Sequence, residues 1–211
     1  STVGEVFSTV TVDFHICGTM SVDGAGGLLT LANTATVQNL SGGSITAVNG
    51  ARIDVAGDLT NAAGSTFSVT GGTLGLTGTV SNEAGATIEL IDGSELELNT
   101  TLALASLLAE FTFTGAGNVV EVIGNSGDID LEGLTFDIDT LNATLDLQGG
   151  TVSGGVAGGV LQFDDPSQVT ISNYSTFDAY FDNVEVHGDL SVTDSIAVQF
   201  RNGAKVLASD G

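Results

Sequence analysis

Basic residues are almost absent from this chain. Arg52, Arg201 and Lys205 stand against 26 Asp and Glu, giving the 211 residues a formal charge of -23. Three cations cannot neutralise enough phosphates to hold nucleic acid against so negative a field, and the same field repels anionic membrane surfaces. Cysteine is nearly missing too: Cys17, alone, excludes an intramolecular disulfide framework and a cysteine zinc cluster. With no Trp and two Tyr, stacking platforms for sugar rings are scarce. The longest apolar run, Leu102–Ala109, is broken by Ser106 and falls far short of the roughly 18 residues that cross a bilayer. The chain opens at Ser1 without a basic, apolar-cored leader, so an export signal is expected to have been removed or to lie outside it.

Glycine is plentiful, at 30 positions, and 42% of residues are hydrophobic. That much apolar surface excludes a disordered chain, and the length suits a single domain, residues 1–211. Self-similarity then organises the reading. Residues 58–69, Asp-Leu-Thr-Asn-Ala-Ala-Gly-Ser-Thr-Phe-Ser-Val, return 21 positions later as Thr-Val-Ser-Asn-Glu-Ala-Gly-Ala-Thr-Ile-Glu-Leu. One unit earlier, Val37, Asn39, Ser44, Ile45 and Ala47 match Leu59, Asn61, Thr66, Phe67 and Val69 at a displacement of 22. Val55-Ala-Gly-Asp-Leu59 recurs as Val186-His-Gly-Asp-Leu190, and Asn49-Gly-Ala-Arg-Ile53 as Asn202-Gly-Ala-Lys-Val206. Both intervals read as whole numbers of the same step.

Within a unit the apolar residues sit two apart, as in Phe67/Val69, Leu74/Leu76 and Ile88/Leu90, which is strand periodicity. A unit this small cannot bury its own apolar face, so units must stack. The expected fold is all-β, a parallel β-helix with three short strands per coil of about 22 residues and roughly nine coils. Asn39, Asn61 and Asn82 form one turn column, placed to hydrogen-bond between coils; Gly50, Gly71 and Gly93 form another. Residues 1–20 carry no repeat motif and are expected as an edge strand, a first coil or a partial cap. Thr101–Glu110 has helix-like composition and is expected as a short helical insertion. Farther on, Phe111/Phe113 match Phe136/Ile138 and Val120/Val122 match Leu145/Leu147, both at an offset of 25.

The segment Gly57–Gly78, with its Asp-Leu-Thr-Asn-Ala-Ala-Gly-Ser-Thr-Phe-Ser-Val core, resembles the repeats of filamentous-haemagglutinin-like exoproteins and autotransporter passengers. The resemblance covers residues 28–100 and, in part, 184–208. It implies a right-handed β-helix, export from a bacterium, and work at the cell surface or in an extracellular fibre. Similar coils occur in phage fibres and spikes.

Asp164-Asp165, followed about one coil on by His187 and then by Arg201 and Lys205, is similar in order to the site of polygalacturonases, where paired carboxylates act on a sugar bond. The preceding coil, however, offers Asn142-Ala-Thr144 without the carboxylate that pattern needs. His187 and Lys205 also occupy the repeat slots of Ala56 and Arg52. The enzyme alternative therefore rests on Asp164, Asp165 and His187, and the expectation is of no enzyme. Arg52, Arg201 and Lys205 are too scattered for a lyase. No nucleophile-elbow motif accompanies the two histidines, and His15 is expected on a polar strand face. Calcium is the one cofactor the acids suit, with Asp128, Asp130, Asp137 and Asp139 (and Asp146 beside them) as candidate ligands. The nonapeptide of calcium-binding β-rolls is absent. Ice binding calls for a regular hydroxyl array; Ser44, Thr66 and Thr87 form an outward column. The neighbouring column, Thr46, Ser68 and Glu89, ends on a charge, and the next face carries Arg52, Asp54, Glu95 and Glu97, so charge interrupts the lattice.

Together these residues point to a non-enzymatic extracellular solenoid, a stalk, fibre or adhesin segment. The partners expected are further copies of itself, end to end through an open last coil at Gly211, and a host-surface glycan or protein. Phage fibre, polysaccharide hydrolase and ice-binding protein stand as the alternatives.

Overall fold

A computed structural model describes residues 14–32, 36–172, 178–192 and 197–207. The chain is an all-β parallel solenoid of about 8 turns with about 23 residues per turn. It divides into two compact units, one made of Ser1–Glu97 with Ala109–Asn118, the other of Leu98–Leu108 with Val119–Gly211. The expectations for residues 1–13 and for a coil ending at Gly211 lie outside the described residues.

Unit 1 is three stacks of parallel strands. The first holds Phe14–Ile16, Val37–Asn39, Leu59–Asn61 and Val80–Asn82. The second holds Thr19–Asp23, Ser44–Val48, Thr66–Thr70, Thr87–Ile91 and Phe111–Thr114. The third holds Leu28–Ala32, Arg52–Ala56 and Thr73–Leu76, with Glu95–Leu98 following. Alternation sends every second side chain inward, so Ile45, Phe67 and Ile88 lie one beside another, all at most 1% exposed. The asparagine column is the polar counterpart. Asn39 Nδ2 donates to Asn61 Oδ1 at 2.8 Å and to the Thr66 carbonyl at 2.8 Å, and Asn61 Nδ2 donates to the Thr87 carbonyl at 3.0 Å. Asn39 Oδ1 has no partner among the described residues, because the neighbouring strand places Ile16 at that position.

Unit 2 repeats the arrangement with different strands. Its stacks are Thr101–Ala103, Asp128–Asp130, Thr151–Ser153, Ala179–Asp182 and Val198–Arg201; Thr135–Asp137, Val160–Gln162, Glu185–His187 and Lys205–Leu207; and Val119–Ile123, Thr144–Gln148, Val169–Ile171 and Ser191–Val192. Val120 pairs with Leu145 and Val122 with Leu147, as their spacing suggested. Phe111 and Phe113 do otherwise: they pair back to Ile88 and Leu90, while Phe136 pairs forward to Leu161. The helix is Leu104–Glu110, shorter than the helix-like stretch, because Thr101–Ala103 is taken up as a strand beside Asp128–Asp130. Glu110 itself belongs to unit 1, where Asn82 donates its backbone N–H to Glu110 Oε2 and its side-chain amide to the Glu110 carbonyl, both at 2.6 Å.

Fewer, longer turns than the expected nine follow from uneven corners. Between the first and second stacks of unit 2 the connection is long at 154–159 but only Asn183-Val184 one turn on. The recurring five-residue motifs report turn chemistry rather than whole numbers of steps. Asn49-Gly50 and Asn202-Gly203 both have positive φ, at 57° and 80° and at 51° and 92°, the conformation in which Asn and Gly are the favoured residues. The first pair joins Ser44–Val48 to Arg52–Ala56 and the second joins Val198–Arg201 to Lys205–Leu207, two different junctions of the coil.

Candidate functional site

The carboxylates and histidine of the enzyme alternative are drawn into local structure. Asp165 Oδ1 accepts the backbone N–H and the hydroxyl of Ser167, both at 2.8 Å, and these bonds hold its carboxyl below the ordinary range. Asp164 offers its backbone N–H to Asp139 Oδ2 at 3.2 Å. His187 stands in register with Gln162, two residues before Asp164, but its Nε2 contacts Glu185 Oε2 at 3.2 Å. Glu185 also meets Lys205 Nζ at 2.6 Å, and the lysine, then the histidine, keep its carboxyl low. Beside this pair the step from the 154–159 loop down to Asn183-Val184 leaves an open groove of about 470 Å³. His15 is exposed on its strand, opposite Gln38.

The calcium candidates are distributed rather than gathered. Asp128 and Asp130 face outward from the first stack of unit 2, and Asp137 from the second, with Asp139 in the 3-10 turn after it. Asp146 lies in the third stack, where Thr170, Ser172 and Gln148 all donate to it. No three of Asp128, Asp130, Asp137 and Asp139 bring carboxylate oxygens within 4.8 Å of one another. Asp130 and Asp137 instead accept the backbone N–H two residues on, from Glu132 at 3.0 Å and Asp139 at 3.2 Å.

Asp128 is the unusual member. Its Oδ2 accepts the Ser153 hydroxyl at 2.9 Å, but its buried Oδ1 has no partner among the described residues. Burial, reinforced by the charges of Asp130 and Asp182 and opposed by Ser153, pushes its carboxyl up to about 6. A raised acid binds its proton more tightly in the folded state than in the unfolded one. Its effect on stability is therefore most favourable below the unfolded value of 3.8 and is lost as pH rises toward and past about 6. Asp128→Asn is expected to raise stability at pH 7 by about 1 kcal/mol, after allowing for partial exposure, and to have little effect at pH 4. Urea unfolding of both proteins at several pH values checks this. The comparison isolates Asp128 from Asp58, Asp165 and Glu185, which are held low and act with the opposite sign.

On the third stack of unit 1, Arg52 is clamped by Asp54 at 2.7 Å and by a two-pronged contact with Glu97. The Glu97 hydrogen bonds, above all, raise the guanidinium further above its ordinary range. The arginine reaches Glu97 by lying over Gly75, where a Cβ would stand 2.6 Å from Asp54 Oδ1 and 2.8 Å from Arg52 Nη2. Only glycine leaves that path open.

The second stack of unit 1 carries a different surface. Its outward positions form three columns in unbroken one-to-one register: Thr19, Ser44, Thr66 and Thr87; Ser21, Thr46, Ser68, Glu89 and Thr112; Asp23, Val48, Thr70, Ile91 and Thr114. Apart from Glu89 and Asp23 these are hydroxyls or aliphatic groups, and none of the hydroxyls bonds to another group of the protein among the described residues. Arg52, Asp54, Glu95 and Glu97 lie on the next face, the third stack, as the sequence indicates. Sequence spacing gives the Ser44 and Thr46 columns but not their extension to Thr19, Ser21 and Thr112. Alternation in Thr19-Met-Ser21 and in Phe111-Thr-Phe-Thr114 was the signal for it.

No family model, curated protein or solved structure matches the chain.

Proposed function

We propose that this chain is a non-enzymatic structural or adhesive solenoid that works outside the cell, at a surface or in a fibre. The observation that carries the reading is how its polar side chains are used. Asn39 with Asn61, Arg52 with Glu97, Ser153 with Asp128 and Thr170 with Asp146 each join different turns of the coil, so charge and amide groups serve the stacking itself. The resemblance of Gly57–Gly78 to exoprotein repeats supports the same reading, as does a strongly acidic surface that limits lateral aggregation. The test is localisation in the native host: tagged chain is expected in the medium, or open to added protease on intact cells. Chain confined to the cytoplasm overturns the proposal. So does cleavage of acidic polysaccharides that Asp164→Asn/Asp165→Asn abolishes.

A further inference from the structure

We propose that the outward hydroxyl face of the second stack in unit 1 is an adhesive surface for ice. The inference deepens the adhesive part of the preceding reading and rests on it.

Three properties of the face point to this partner. The first is periodicity. Parallel strands place like residues about 4.8 Å apart between turns and about 6.6 Å apart along a strand, so the face is a two-dimensional lattice. The unbroken register from Thr19–Asp23 to Phe111–Thr114 keeps that lattice in step across five strands. Behind it Ile45, Ala47, Phe67, Val69, Ile88 and Leu90 are at most 1% exposed, which fixes the backbone that carries the hydroxyls. A periodic, rigid face matches a periodic, rigid partner at low entropic cost, because little is ordered on contact.

The second property is availability. On the other faces several hydroxyls are committed to carboxylates, as Thr73 is to Glu95, Ser153 to Asp128 and Thr170 to Asp146. Here Ser44, Thr46, Thr66, Ser68, Thr70 and Thr87 make no such bond among the described residues, so each can both donate to and accept from water. The methyl groups of the threonines, with Val48 and Ile91, alternate among the hydroxyls and favour ordered over bulk-like water beside them.

The third is charge. On a chain of net charge -23 the described residues of this face include only two charged ones, Glu89 and, at its edge, Asp23. A neutral donor-and-acceptor lattice complements a neutral donor-and-acceptor lattice, and a polyanion or polycation finds little on it. Ordered water is such a lattice, with an oxygen repeat close to the spacing between turns.

The experiment uses the whole chain and reads thermal hysteresis, ice shaping and enrichment into a growing ice front. Wild type is expected to shape ice and to enter it. Thr66→Tyr, which raises a bulky group in the middle of the lattice, is expected to abolish both with an unchanged melting temperature. Thr135→Tyr, exposed on unit 2, is expected to change neither. Glu89→Thr completes the central column and is expected to increase hysteresis. Absence of ice shaping and enrichment in wild type and Glu89→Thr alike overturns the inference while leaving the localisation result standing. Activity indifferent to Thr66→Tyr overturns it as well. Retention on crystalline cellulose or chitin that Thr66→Tyr abolishes, without ice activity, replaces ice by a crystalline glycan.

Discussion

Phe67→Ala is expected to lower the unfolding free energy by about 3–5 kcal/mol, a loss read as a fall in the urea midpoint with little change in slope. Phe67 is 1% exposed and pairs with Ile45 on one side and Ile88 on the other. In a stacked coil each turn touches only its neighbours, so one truncated ring weakens two interfaces at once and the coil has no other core to share the loss. The neighbours are β-strands held by their own ladders, so they cannot collapse into the space, and the cavity cost adds to the lost transfer free energy. Phe67→Leu keeps most of the volume and is expected to cost less than half as much. A loss below about 1 kcal/mol for Phe67→Ala would mean that the ring is not enclosed between those two residues.

Phe67 and Ile88 were also where the sequence spoke most clearly. Hydrophobic alternation and a step near 22 residues identify inward positions without knowledge of the corners, because burial depends only on the period of the strand. Asn39 and Asn61 were legible for a related reason: a buried amide recurring once per turn has few uses other than bonding to its own copies. Phe111 was not legible. Its match to Phe136 rests on residue type alone, and the helix that ends at Glu110 resets which strand comes next. Arg52 and Glu97 were hidden in another way. They are 45 residues apart, and what brings them together is the missing side chain of Gly75, an absence that looks like any other turn or strand glycine.

The hydroxyl face illustrates what stacking adds to periodicity. Alternation assigns Thr66 and Ser68 outward, and the turn glycines between strands place Arg52, Asp54, Glu95 and Glu97 on the next face, but the sequence does not show how far the hydroxyl columns run. Arg52, Asp54, Glu95 and Glu97 follow the hydroxyl strands closely in sequence, and only the corner at Asn49-Gly50, repeated at Gly71 and Gly93, turns them onto a separate sheet. Function on a solenoid is therefore written in corners, which are short and chemically degenerate, while fold is written in strands.

Asn61→Leu is expected to cost about 2–3 kcal/mol, nearly all of it from groups left behind rather than from the amide removed. Asn61 is fully buried, accepts from Asn39 Nδ2 at 2.8 Å and Ser65 Oγ at 2.6 Å, and donates to the Thr87 carbonyl. Leucine fills the space but satisfies none of these three. Ser65 keeps the Ala62 carbonyl and Asn39 keeps the Thr66 carbonyl, so the stranded groups are one amide proton of Asn39 and the Thr87 oxygen. Asn39→Leu removes the same inter-turn bond from its other end. The double substitution is therefore expected to cost less than the sum of the two singles, by about 1–2 kcal/mol. Asn61→Asp separates polarity from hydrogen-bond donation, because its carboxylate can accept but not donate. Burial without a cation raises that carboxyl above its unfolded value, so this variant is expected to be the least stable of the set at pH 7 and to regain stability as the pH falls and the group protonates. Strict additivity of Asn39→Leu and Asn61→Leu, together with a flat pH profile for Asn61→Asp, would mean that the column is a row of separate turn residues and that the turns are joined by backbone and apolar contacts alone.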